Sequence, residues 1–96
     1  MAQAKTPLGK GSRSDARLNV IFGDVLRSFR IEKGLTQEEL AIECGMDRAY
    51  VSELERGLKE PCLSTILRLT NTLKVPVADV MARVEATVQL SSKSLQ

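Results

Sequence analysis

From residue 18 onward the apolar positions fall into short helical registers separated by glycine and proline. Leu18, Ile21, Phe22, Val25, Leu26 and Phe29 recur at three- and four-residue spacing, the signature of an amphipathic helix with one face turned to a core. Gly34 closes that segment, because glycine enters the left-handed conformation needed just past a helix end without steric penalty. The stretch LTQEEL opens the next one. Thr36 is placed to cap it, Glu39 to reach back three residues, and Leu35 to pack on Leu40. Leu40, Ala41 and Cys44 form the inner face of this second helix, and Gly45 ends it after about two turns. A third start follows at once, with Asp47 as N-cap and Met46 in position to pack on Val51, so a helix is predicted over 48–56 with Gly57 as its stop.

Two short helices meeting across a tight glycine-containing turn make a helix-turn-helix. Beyond it LKEP reads as a loop. Leu63, Ile66, Leu69 and Leu73 mark a fourth helix after Pro61, and Val77, Val80, Met81 and Val84 a fifth over 77–84 after Pro76. The expected fold is all-α, a compact five-helix domain. The tail EATVQLSSKSLQ fits two periods: Val84, Ala86, Val88 and Leu90 alternate as in a strand, whereas Val80, Val84 and Val88 continue a helical stripe. The last six residues are expected to lack order. Residues 1–17, rich in Gly, Ser, Lys and Arg, bury too little apolar surface to offset their ordering entropy and read as a flexible basic arm. The expected organisation is therefore an arm over 1–17, a folded body over 18–84, and a C-terminal tail over 85–96.

Composition narrows the chemistry. With 96 residues, three aromatics and no Trp, the core is built from Leu, Ile, Val and Ala, a palette suited to short packed helices. The chain holds no His, and Cys44 and Cys62 have no metal-ligand spacing, so no metal and no other cofactor is expected and both cysteines read as reduced and structural. No nucleophile stands beside a plausible activator and no glycine-rich phosphate loop is present, which argues against an enzyme. No apolar run is long enough to span a bilayer and no signal sequence opens the chain, so a cytoplasmic protein with no membrane partner is expected. Net charge is +2, but it is uneven: plus three over 1–17, minus one over 18–84 and zero beyond. Any anion-binding surface on the body must therefore be local.

On the third helix, at about 100° per residue, Val51 and Leu54 share the inward side. Ala49, Ser52, Glu53 and Arg56 centre on the opposite side, with Arg48 at its edge in the first turn. A helix with so narrow an apolar side presents most of its surface outward, at a width that matches the DNA major groove, about 12 Å. Residues 22–81, FGDVLRSFRIEKGLTQEELAIECGMDRAYVSELERGLKEPCLSTILRLTNTLKVPVADVM, resemble the lambda repressor and Cro type of helix-turn-helix domain. The shared features are LTQEELA, the Gly45 turn, the SELERG ending and the helix after Pro61, in that order.

The resemblance implies roles residue by residue. Gln37 falls at the first position of the second helix, where such proteins bind a phosphate, and Arg48 at the first position of the recognition helix, where they read a base. Arginine there suits guanine O6 and N7, the Ala49 methyl suits thymine, Ser52 suits base or phosphate, and Glu53 suits the cytosine amine. Glu53 has a second reading, in which it holds Arg48 or Arg56 in place or excludes wrong sequences. Tyr50 and Arg56 flank the groove beside the backbone. A partly buried pair between Arg30 and Glu55 is implied as a structural feature. The chain departs from the family pattern with Arg48 where glutamine is frequent, Thr70 where alanine is usual, and Cys62 in place of a serine cap.

Leu63, Leu67, Val84, Val88 and Leu90 exceed the needs of so small a core and suggest a homodimer face, since one recognition helix reads only a few base pairs. The function these readings give is a sequence-specific regulator of transcription that binds double-stranded DNA as a dimer on a pseudopalindromic operator, most simply as a repressor, with controller or antitoxin-like roles compatible. The alternative is a protein-interaction module whose main partner is a toxin or another regulator, and polymerase is a further possible protein partner.

Overall fold

The computed structural model describes the backbone of residues 15–94, and the side chains through Leu90. Within them the chain forms five helices: α1 (Ala16–Glu32), α2 (Gln37–Cys44), α3 (Arg48–Glu55), α4 (Leu63–Leu73) and α5 (Val77–Ser94). α1 packs on α3 and α5, α2 on α3 and α4, and α4 on α5. Their shared core is built from the stripes that define each helix, with Leu40, Val51 and Leu54 entirely shielded from solvent.

The helix ends follow their local chemistry. Thr36 and Glu39 form the reciprocal capping box: Glu39 N–H donates to Thr36 Oγ1 at 3.0 Å and Thr36 N–H to Glu39 Oε1 at 2.8 Å. Gly45 closes α2 with φ of 71°, which turns the chain sharply into α3. Asp47 stands at the N-cap of α3 but makes no side-chain cap bond. α4 is closed by Lys74 at φ 59°, a left-handed residue that its side chain does not advertise.

Three expectations need correction. α1 begins at Ala16, because Asp15 Oδ1 accepts from Leu18 N–H at 3.1 Å and caps the helix two residues upstream of the apolar pattern. Arg17 thus belongs to α1, and residues 1–14 of the expected arm lie outside the described residues. α5 runs far past Val84, to Ser94, four residues into the stretch expected to lack order; Leu95 and Gln96 lie outside the described residues. The helical reading of 84–90 wins over the strand because Val80 and Val84 are buried and Val88 packs on the core, at one-turn intervals. Arg83 fastens α5 to α1: its guanidinium lies 3.9 Å from the Phe29 ring centroid, and Nη1 donates to Glu32 Oε2 and Ser28 Oγ, each at 3.1 Å.

The third correction concerns the cysteines, both free thiols. Cys44 is buried in the core, but Cys62 is exposed and has no packing role. Thr70, the other unusual residue, is buried with its hydroxyl satisfied, donating to Leu67 O at 3.2 Å. Cys62 is the N-cap of α4 and makes no side-chain cap bond. Its Sγ lies 3.2 Å from Ser64 Oγ and 3.3 Å from Thr65 Oγ1, and these hydroxyls, Ser64 foremost, favour the thiolate and lower the thiol pKa to about 6. Alkylation by iodoacetamide is therefore expected to modify Cys62 with a rate that rises through that pH, while Cys44 reacts only on unfolding. Cys62→Ser supplies the missing cap and is expected to raise stability, read as a higher urea midpoint.

Candidate nucleic-acid interface

α3 is held from beneath. Val51 and Leu54 are 0% exposed, which fixes the rotation of the helix about its axis. Arg48, Ala49 and Arg56 are consequently exposed, and Ser52 and Glu53 half-exposed, along the outer side. Tyr50, expected beside the groove, has a half-buried ring that packs against the core. Arg56, the C-cap residue of α3, donates from Nε to Ser52 Oγ at 3.3 Å. Among the described residues no ion pair joins Glu53 to either arginine of α3.

Beneath this face sits a buried charged pair. Glu55 Oε2 accepts from Arg30 Nε at 2.6 Å and Oε1 from Arg30 Nη2 at 2.9 Å, a two-pronged pairing between α1 and α3. The remaining arm of the guanidinium, Nη1, donates to Leu35 O at 2.8 Å. The hydrogen bonds to Glu55 raise the Arg30 pKa further above its already high ordinary value, against the opposing effect of burial.

Gln37 joins this pair, which no spacing rule reveals, since it stands eighteen residues before Glu55. Its Nε2 donates to Glu55 Oε1 at 3.0 Å. The bond orients the amide and leaves one N–H and the carbonyl oxygen available outward. Gln37 and Arg48, from the first turns of two helices, open onto one shallow depression of about 570 Å³ that Thr36 and Leu35 also line. The first turns of two helices thus meet at this depression beside an arginine and an oriented amide, with Glu38 also on the lining, a combination suited to phosphate and base edges.

The profile of the helix-turn-helix family matches residues 26–80. The chain belongs to the Cro and lambda repressor type of helix-turn-helix proteins. This helix-turn-helix protein is similar to the control protein C.BamHI of Bacillus amyloliquefaciens, 34% identical over 65 residues that cover 67% of this chain and 80% of that one. Among solved structures it resembles the restriction-modification controller protein C.AhdI from Aeromonas hydrophila, with 42% identity and a TM-score of 0.64 over 69% of this chain and 98% of that one. It also resembles the clp gene regulator ClgR from Corynebacterium glutamicum, with 36% identity and a TM-score of 0.73 over 81% of this chain and 85% of that one. The helix-turn-helix protein is a DNA-binding regulator of transcription.

The residues expected at a dimer face do not lie together in status. Val84 is 8% exposed and is part of the subunit's own core, and Val88 is half-buried against it, because α5 packs on α1 further than its first two turns. Leu63, Leu67 and Leu90 remain at the surface, 69%, 46% and 66% exposed. Among the described residues no helix is long and apolar enough to cross a membrane.

Proposed function

We propose that this regulator inserts α3 into the major groove of a pseudopalindromic operator as a homodimer and represses by occupying it. The observation that carries the reading is the rigid outward display of Arg48 and Ala49 at the start of α3, above a fully buried Val51 and Leu54. Arg48 reads guanine, Ala49 meets a thymine methyl, and Ser52 and Glu53 extend the reading along the groove. Gln37 and Arg56 hold phosphates at either side, while Tyr50 braces α3 from within. Leu63 and Leu67 of α4, joined by Leu90, supply the contact between subunits, which sets the two recognition helices about 34 Å apart. The likeness to two proteins named as controllers supports a controller-type role.

The test is duplex selection from a random pool followed by fluorescence anisotropy across salt. The wild-type chain should select a symmetric site, with affinity falling steeply as salt rises. Arg48→Ala should weaken the selected site about 10-fold or more and flatten preference at one base pair per half-site, with the salt slope little changed because Arg48 meets a base and not a phosphate. Light scattering showing a monomer at micromolar protein, with and without the duplex, would remove the dimer. Equal binding of scrambled and selected duplexes would remove sequence reading.

A further inference from the structure

Between α1, the α3–α4 loop, α4 and α5 lies a hollow of about 340 Å³. Leu18 and Phe22 of α1, Ile66 of α4 and Met81 of α5 wall it, and Asn19 lines it among them. Asn19 is only 8% exposed, and its side-chain amide has no hydrogen-bond partner among the described residues. A buried amide left unpaired is costly, so one that persists inside apolar walls points to a group that satisfies it. The charged residues on the lining are Asp15 and Glu60, both exposed carboxylates, and no basic residue lines the hollow. One oxygen of Asp15 caps α1, and its other oxygen and the Glu60 carboxylate have no partner among the described residues.

We propose that this hollow binds a small hydrophobic ammonium, an aryl- or alkylamine whose body rests on the apolar walls. Its N–H groups bond Asn19 Oδ1 and are neutralised by Asp15 and Glu60. The volume falls in the range of small-molecule sites, about 300–1,000 Å³. The two carboxylates repel anions, and the apolar walls disfavour a fully hydrated inorganic cation. A ligand seated there bridges the first turn of α1 to the loop that follows the recognition helix.

The experiment is an amide NMR titration of the full chain, without DNA, by 2-phenylethylammonium chloride, with 2-phenylethanol and 3-phenylpropionate as neutral and anionic counterparts. The ammonium should give saturable shifts at residues 18–22, 66 and 81 with a Kd of about 1 mM. The alcohol should bind about tenfold more weakly and the carboxylate not at all. Asn19→Leu should stay folded, with a higher Tm, and lose about tenfold in affinity. Met81→Trp, which fills the hollow, should abolish the shifts. No saturation by about 10 mM amine, equal responses to the three probes, or undiminished binding by Asn19→Leu would each overturn the proposal. Shifts at the same amides that follow protein concentration without amine would also overturn it, by assigning the hollow to a second copy of the chain. Because no duplex enters the titration, its failure leaves the DNA-binding reading standing, and failure of operator selection leaves this result standing.

Discussion

Glu55→Gln is expected to lower the stability of the domain by about 3–5 kcal/mol, because it leaves the Arg30 cation buried without its counter-charge. The two side chains are 10% and 2% exposed, so water cannot replace the lost carboxylate. One of the two oxygens that Arg30 meets becomes an amide nitrogen, and donor then faces donor. Against a total of about 5–15 kcal/mol for a natural domain, the loss is a large share, and urea unfolding should show a lower midpoint at an unchanged slope. Arg30→Met combined with Glu55→Leu removes both charges and should recover most of the loss. It should not recover DNA affinity to the same degree, since Gln37 still lacks the oxygen that orients it. A double variant as unstable as Glu55→Gln would show that packing around the pair, rather than the unpaired charge, sets the effect.

Gly23→Ala should cost about 3 kcal/mol even though it places a better helix former inside α1. Propensity alone favours the substitution by about 1 kcal/mol. Sterics reverse the sign: a Cβ at Gly23 would meet the carbonyl oxygen of Leu54 and lie 2.6 Å from that of Glu55, both backbone atoms at the end of α3. Neither can swing aside as a side-chain tip would, so α1 and α3 must separate and loosen the Val25, Leu26 and Leu54 packing. At about 4–8 °C per kcal/mol for a domain of this size, calorimetry should show a Tm lower by about 12–24 °C. An unchanged or higher Tm would mean that the two helices slide apart freely at this crossing.

The sequence foretold the parts of this molecule that are local. Thr36, Glu39 and Gly45 act within a few residues of one another, and the helix boundaries around the turn fall where their chemistry places them. The inward faces were legible because Leu40, Val51 and Leu54 repeat with the helical period. The end of α5 was not, since alternation and the helical stripe coincide over 84–90 and only packing against α1 decides between them. Gly23 gave no signal because its neighbour belongs to another helix. The bond from Gln37 to Glu55 likewise crosses between helices, so sequence could suggest each residue's separate duty but not their connection. Cys62 was legible as the residue in place of a serine cap, but not that its thiol makes no cap bond and stands in solvent.

The outer residues of α3 differ in how they are tied to the rest of the chain. Among the described residues the side chains of Arg48 and Ala49 make no hydrogen bond or ion pair with another helix, whereas Gln37 hangs from the same carboxylate that neutralises Arg30. Target choice and architectural integrity are therefore separable at the first two and entangled at the third. Lineages can retune which letters are read by exchanging residues 48 and 49, while drift at Gln37 is restrained by the scaffold itself.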